Sequence, residues 1–190
     1  MRIKVSIDGT TPLLMCKFTD AAQETASGNG VVKATSGDRG TPLEQAAACR
    51  YLDENGREII PNPNILRAII DGGEYFKSGR TKVTTQKTSL IPACVTLNEI
   101  YFPLRHKQPW KVDTRPVRIP ATGGRILRHR ACFDDWGIDF EIELDTEFMT
   151  ERLLREIVDA AGKRKGLGDF RPACKGPFGK FVVTSWKQVG

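Results

Sequence analysis

Alternation of apolar and polar residues predicts strands near both ends of the chain. Residues 1–7 (MRIKVSI) and 138–145 (IDFEIELD) change from apolar to polar at every position. Because successive side chains of a strand point to opposite faces, this period of two indicates strands that are buried on one face. Apolar runs predict further strands over 125–133 and 180–187. Residues 134–137 then form a hairpin turn between 125–133 and 138–145.

Helical periodicity and capping residues predict three helices. Thr41 with Pro42 and Glu44 has the order of a capping box, so the first helix begins there and runs to about residue 51. A second helix covers 62–73, and a third covers 150–162 with Thr150 as its N-cap. Both of the longer helices carry apolar residues at the spacing of one face.

The order of the regular elements predicts an α+β fold. Strand 1–7, helix 62–73, strands 125–133 and 138–145, helix 150–162 and strand 180–187 follow the β-α-β-β-α-β order of a ferredoxin-like (RRM-like) unit. We expect a single domain over 1–190, with insertions at about 16–60 and 77–124. Within them, 20–41 is an exposed, mobile segment, 90–104 alternates like a strand, and 105–124 is irregular and basic.

The charge distribution points to an anionic partner. The formal net charge is +6 and the isoelectric point about 9.2. Cations gather in three blocks, 77–87, 105–130 and 162–180, whereas 133–159 is acidic. If the blocks converge, a polymeric phosphate backbone is the first candidate ligand. The alternative is three ordinary solvated loops.

The cysteines and the hydropathy give a cytoplasmic setting. The five cysteines form no CxxC pair, so the usual zinc spacing is absent and reduced thiols are expected. No apolar run reaches the roughly 20 residues that span a bilayer. We therefore expect a soluble cytoplasmic protein with no membrane partner, no metal and no cofactor.

The glycine-rich loop 162–180 is the main candidate for the functional segment. It combines glycines and cations with Phe170, Pro172 and Phe178. Flexible linkers seldom contain aromatic residues and prolines, so the loop is built to hold a shape. Its glycines allow a close approach to another molecule.

Candidate catalytic groups are few. His106 and His129 are the only histidines, and both lie among cations. We interpret them as residues without a functional role or as hydrogen-bond donors to phosphate. General acid–base cleavage of RNA is the alternative. The acidic residues of 134–145 are interpreted as the solvated face of a strand. The pair Gly166 and Gly168 lacks the third glycine and the preceding strand of a dinucleotide-binding turn.

The C-terminal third resembles the RAMP superfamily, the CRISPR-associated RNA-binding proteins, with Cascade-type backbone subunits as the nearest match. The resemblance lies in the strand 140–144 (FEIEL), the helix 153–158 (LLREIV) and the loop 166–181 (GLGDFRPACKGPFGKF). It implies an RRM-like core whose glycine-rich loop contacts the phosphates of a single strand. The chain departs from the family in its short length and in Pro177, which lies inside the loop ending.

The candidate nucleic-acid contacts combine the loop positions that match the family with the cations of the other two blocks. They are Lys77, Arg80, Lys82, Arg115, Arg125, Arg128, Lys163, Arg164, Gly166, Gly168, Phe170, Arg171, Lys175, Gly176 and Gly179. Tyr75 and Trp110 are further candidates for stacking on bases, with core packing favoured for Trp110.

The sequence therefore predicts a non-enzymatic protein that binds single-stranded RNA or DNA, with RNA favoured. We expect it to assemble side by side along the strand with copies of itself or with other CRISPR-type subunits. Two alternatives stay open. One is a RAMP-type endoribonuclease that uses a histidine, and the other is a partner-binding structural protein of a phage or mobile element.

Overall fold

The computed structural model describes residues 1–17, 40–118 and 123–189. Most of the predicted mobile segment 20–41 and residues 119–122 lie outside these ranges. The strands are β1 (Arg2–Gly9), β2 (Leu13–Met15), β3 (Ile59–Pro61), β4 (Lys77–Ser78), β5 (Thr81–Lys82), β6 (Val95–Leu97), β7 (Tyr101–Arg105), β8 (Lys111–Arg118), β9 (Arg125–Phe133), β10 (Gly137–Leu144) and β11 (Phe181–Val189). The helices are α1 (Pro42–Ala48), α2 (Asn62–Gly72), α3 (Ile91–Cys94) and α4 (Glu151–Ala160).

A six-stranded antiparallel sheet is built around β1. Its order is β11-β1-β10-β7-β3, and β6 also pairs with β10. In the register, Val5 lies opposite Phe140 on one side and Trp186 on the other. The fold is thus α+β, as the element order predicted.

One face of this sheet packs against α2 and α4 to form the core. Ile3 and Ile142 of the sheet and Ile69 and Ile157 of the helices are each at most 1% exposed. Each such burial contributes roughly 1.5–3 kcal/mol of apolar transfer free energy. The helices approach closely at Gly72, where a Cβ would lie 2.7 Å from the Ile157 carbonyl oxygen.

The other face of the sheet is charged, and several of its charged side chains form ion pairs with one another. Arg105 of β7 makes ion pairs with Asp8 at 2.9 Å and with Asp139 at 2.7 Å, and Arg2 lies 3.8 Å from Glu141. The central strands β1 and β10 therefore present ion pairs to solvent.

A second, three-stranded sheet has the order β2-β9-β8. Its two long strands pair from Lys111 opposite Cys132 to Arg118 opposite Arg125. Helix α1 packs against both of them. Within this sheet, β8 and β9 form a hairpin that carries most of the second basic block.

Several sequence predictions are confirmed by the local structure. Thr41 and Glu44 form the expected capping box of α1. Thr150 Oγ1 accepts a hydrogen bond from the Leu153 amide at 3.2 Å, which caps α4. Strands 1–7, 138–145 and 180–187 and helix 62–73 appear within two residues of their expected bounds. Helix α1 ends earlier than predicted, at Ala48. Within the described ranges, no helix has the length and apolar character required to cross a bilayer.

The predicted pairing of 125–133 with 138–145 is wrong. Both strands exist, but β9 pairs with β2 and β8, whereas β10 pairs with β1, β6 and β7. The turn between them is held by Trp136, which is 4% exposed and whose Nε1 donates to the Thr11 carbonyl at 2.8 Å. Because both edges of each strand are already occupied, a hairpin between them cannot form. On the side of β10 away from β1, the neighbouring strand is β7.

The prediction that 105–124 is irregular is wrong for 111–118. These residues form β8, and Pro116 is accommodated because β8 is the edge strand of its sheet. The segment 90–104 is only partly a strand, since α3 precedes β6 and β7.

We expect Trp136→Phe to lower the free energy of unfolding by about 1–3 kcal/mol, because the Thr11 carbonyl loses its buried donor. Urea unfolding checks this. Trp186→Phe is the matched control. Its Nε1 bonds Glu151 at 2.8 Å at a site that water reaches, so we expect a smaller loss. Equal losses would contradict the role assigned to Trp136.

Candidate nucleic-acid interface

The glycine-rich loop is held in one shape by its own backbone hydrogen bonds. Helix α4 continues into a π-helical turn, Ala161–Lys165, and Gly166 then reverses the chain with φ of 71°. The Leu167 amide donates to the Gly179 carbonyl, and the Gly179 amide donates to the Pro12 carbonyl, both at 2.8 Å. The Asp169 amide donates to the Leu14 carbonyl at 2.8 Å. Because these N–H groups are used inside the fold, contact with a phosphate would fall mainly on the side chains of the loop.

The loop glycines are required for packing within the chain itself. A Cβ at Gly179 would lie 1.8 Å from the Leu167 carbonyl oxygen, and one at Gly176 would lie 1.7 Å from the Phe170 carbonyl oxygen. At Gly168 the nearest atom is the Leu14 carbonyl oxygen, at 2.4 Å. The space that we expected another molecule to occupy is therefore filled at these three positions by backbone.

A small apolar cluster joins the loop to the β8–β9 hairpin. Leu14, Cys132 and Phe178 are buried together, and Phe170 packs against them with its ring 6.0 Å from that of Phe178. The guanidinium of Arg115 lies 4.8 Å from the centre of the Phe178 ring. The second and third basic blocks thus meet at one place.

An ion pair reinforces this junction. The Nε of Arg130 on β9 donates to the carboxylate of Asp169 in the loop. Arg130 is 5% exposed, and its Nη1 is buried with no hydrogen-bond partner within the described residues. Asp169 also accepts from the Phe170 amide at 2.9 Å. One of the three guanidinium nitrogens therefore lacks an acceptor within the described residues.

Two cavities lie beside the ion pair. The first, of about 240 Å³, is lined by Met15, Cys16, Tyr51, Ile60, Asn64, Arg67, Leu167, Gly168, Asp169 and Arg171. The second, of about 380 Å³, is lined by Cys16, Val117, Arg118, Ile126, Arg128, Arg130 and Asp169. They share Cys16 and Asp169, so they adjoin each other between α2 and the hairpin, and we refer to the two cavities together as the groove.

The thiol of Cys16 is acidic for a cysteine. Its pKa is lowered to about 6, mainly by a hydrogen bond with Cys49 and also by Arg128 and Arg130, against the opposing effects of burial and of Asp169. The Lys17 amide, which donates to the Cys49 carbonyl at 2.8 Å, holds the two segments together.

The first basic block lies by the start of the glycine-rich loop. Tyr75 is covered by Arg164 at 4.6 Å and by Lys165 at 5.1 Å, and Lys165 also bonds Glu74 at 2.5 Å. The β4–β5 hairpin follows Tyr75 and exposes its cations, which are Lys77, Arg80 and Lys82. Tyr75 already has cations over its ring, and it keeps 48% of its surface exposed.

The structure thus places most of the predicted contacts in two groups and leaves Arg125 and Lys175 outside both. Arg115 and Arg128 on the hairpin lie with the loop residues Gly166, Gly168, Phe170, Arg171, Gly176 and Gly179 around the cavities or the apolar cluster. Lys163 and Arg164 belong to the π-helical turn beside Tyr75. Arg125 is exposed at the start of β9, and Lys175 is exposed with φ of 63°.

Trp110 and the histidines have structural contacts. Trp110 packs against the core, and Arg50 lies 4.7 Å from the centre of its ring. His106 uses both ring nitrogens, at 2.9 Å from the Gln108 carbonyl and 3.4 Å from Glu58. His129 Nδ1 lies 2.8 Å from the Thr114 hydroxyl.

Sequence reasoning missed several residues of the groove. Arg130 was one cation among many, and Asp169 was the single acid of the loop, a signal that could have suggested an ion pair. Cys16 and Asn64 gave no signal, because their role depends on segments far apart in the chain.

We expect Gly179→Ala to lower the free energy of unfolding by about 3 kcal/mol, because the methyl group meets the Leu167 carbonyl at a left-handed position. Gly56→Ala is the matched control. Gly56 has φ of 76° but nothing within 4 Å of a built Cβ, so only the backbone strain of about 1–2 kcal/mol applies. Thermal or urea unfolding measures both. Equal effects would show that the close approach is unimportant.

We expect the rate of Cys16 alkylation by iodoacetamide to rise with a midpoint near pH 6, because the thiolate is the reacting form. Mass spectrometry of the modified peptides measures the rate. Cys132 is an internal control, since burial and Asp134 raise its pKa to about 11 and it should stay unmodified at neutral pH. A Cys16 rate that still increases steeply above pH 8 would contradict the assignment.

Comparison with known proteins gives a likeness of fold alone. No family model matches the sequence, and no curated protein matches it. Among solved structures, a chain of the "Cryo-EM structure of the Type III-B Cmr-beta bound to cognate target RNA" has a TM-score of 0.53 at 12% identity. The match covers 98% of this chain and 59% of the other, so this protein spans little more than half the length of that neighbour.

Proposed function

We propose that this protein binds single-stranded RNA without cleaving it, as a subunit similar to the backbone subunits of CRISPR effectors. The observation that carries the proposal is the junction of two basic segments, the β8–β9 hairpin and the glycine-rich loop, around a groove lined by arginines. Arginines bind phosphates through charge-assisted hydrogen bonds, and phosphates are present at every position of a strand.

The fold supports this proposal. The neighbour with a TM-score of 0.53 comes from a complex that is bound to target RNA. The elements β1, α2, β7, β10, α4 and β11 follow the β-α-β-β-α-β order, which supports a ferredoxin-like core in a single domain over 1–190. In this proposal the chain assembles with copies of itself or with other CRISPR-type subunits.

The charged face of the six-stranded sheet is unfavourable for RNA, which supports binding at another surface. An RRM stacks bases on aromatic residues of its sheet, but here β1 and β10 present Lys4, Asp139 and Glu141. Asp139 and Glu141 are paired with Arg105 and Arg2, so the charges of this face largely balance and attract a phosphate backbone weakly. We therefore assign binding to the groove and the hairpin, with the exposed ring of Tyr75 as a stacking platform beside the first basic block.

The contacts of His106 favour binding over histidine-based cleavage. Both of its ring nitrogens lie within hydrogen-bond distance of groups of the same chain. A general acid or base must have a nitrogen free to exchange a proton with the substrate. His129 contacts the Thr114 hydroxyl on the hairpin through Nδ1.

A salt titration tests the proposal. We expect the dissociation constant for a labelled single-stranded RNA to rise steeply with salt, because binding releases counterions. Arg115→Ala and Arg128→Ala should each weaken binding, and each should flatten the slope of log K against log salt by about 0.7 for every phosphate that is no longer neutralised. Fluorescence anisotropy measures both quantities, with single-stranded DNA of the same sequence for comparison.

Arg152→Ala is the matched control. Arg152 is a 90% exposed arginine on α4, and its ion-pair partner is Glu156 of the same helix. Its removal changes the net charge equally but should leave affinity and slope almost unchanged. Binding that does not depend on salt, or an equal loss in all three variants, would overturn the proposed interface.

A further inference from the structure

The two cavities of the groove differ in chemistry in a way that matches the two halves of a nucleotide. They adjoin each other because Cys16 and Asp169 line both. One is lined by three arginines, whereas the other combines buried apolar side chains with an amide, a hydroxyl and two arginines. This difference is independent of the general basic charge of the chain.

The larger cavity is suited to a phosphate. Three arginines line it, which are Arg118, Arg128 and Arg130. They outnumber its acidic groups, which are the Asp169 carboxylate, already paired with Arg130, and the acidic thiol of Cys16. The Nη1 of Arg130 is buried without a hydrogen-bond partner within the described residues. Buried unpaired donors of this kind are rare in native proteins. Because Arg130 lines this cavity, a small movement of its side chain would bring Nη1 to an acceptor placed there. Phosphate oxygens are strong acceptors for a guanidinium.

The smaller cavity is suited to a base. Met15, Ile60 and Leu167 line it and are each at most 2% exposed. Asn64 and Tyr51 add an amide and a hydroxyl, and Arg67, Asp169 and Arg171 add charged groups. A volume of about 240 Å³ is below the roughly 300–1,000 Å³ of sites for drug-sized ligands, which leaves room for a single heterocycle.

We propose that these cavities together hold one nucleotide of the bound strand. Its phosphate lies against Arg128 and Arg130, and its base enters the cavity lined by Leu167 and Asn64. The inference rests on the proposed function and makes it more specific. Phosphate contacts carry no sequence information, whereas an enclosed base edge does. The protein would then distinguish one base in each strand segment that it covers.

Direct binding of mononucleotides tests this. The probes are the four ribonucleoside 5′-monophosphates, the corresponding nucleosides and inorganic phosphate, each titrated into the full chain by calorimetry. We expect at least one monophosphate to bind about tenfold or more tightly than phosphate, a difference of about 1.4 kcal/mol, and to exceed its own nucleoside similarly. Monophosphates that bind no better than phosphate would overturn the inference.

Variants separate the two cavities. Asn64→Ala should reduce the preference for the monophosphate over phosphate and leave phosphate binding unchanged. Arg128→Ala should weaken both ligands, and Arg152→Ala should weaken neither. Tyr51→Phe is a second change in the base cavity that keeps the ring, for use if Asn64→Ala lowers the melting temperature. A preference that survives both base-cavity variants would contradict the proposed position of the base.

The same measurements distinguish this inference from the proposed function. If single-stranded RNA binds with the expected salt dependence but monophosphates match phosphate, the nucleotide site is wrong and the general interface stands. If a monophosphate binds selectively but RNA does not bind, RNA binding is wrong and the groove is a site for free nucleotides.

Discussion

The ion pair between the buried Arg130 and the partly exposed Asp169 is the interaction on which the candidate site depends. It connects the three-stranded sheet to the glycine-rich loop, and the loop in turn connects α4 to β11. Such pairs add little net stability, because the buried partner loses its hydration. Removing Asp169 is costly, however, since the charge of Arg130 is left buried. The pair therefore acts mainly to fix the hairpin and the loop in a single relative position.

The glycines of the glycine-rich loop serve packing within the chain, which differs from the role that the sequence suggested. The sequence suggested glycines that admit a ligand, but the backbone of Leu14, Leu167 and Phe170 fills the space beside three of them. Their function is to let the loop pack tightly on the chain. A rigid loop is nevertheless useful for binding, because side chains that are already in place lose less entropy when a ligand arrives.

Local patterns made the elements predictable, and long-range pairing did not. The capping residues Thr41 and Thr150 and the alternation of 138–145 depend on neighbours within a few residues, so they could be read directly. The partner of β9 could not, because the choice between β10 and β8 depends on Trp136 reaching Thr11. The prediction that 105–124 is irregular failed because an edge position tolerates Pro116. The basic blocks were recognisable, whereas the groove needs residues 16, 64, 130 and 169 together.

The apolar cluster of Leu14, Cys132 and Phe178 has a consequence for biosynthesis. Its members come from three segments separated by more than a hundred and by more than forty residues. Contacts of such high sequence separation form late, because a long loop must close before they give any stabilisation. On the ribosome, the hairpin emerges well before the loop that packs against it. The loop that lines the groove is therefore not fixed against the hairpin until residue 178 has left the exit tunnel, and the incomplete chain presents the proposed site only in part.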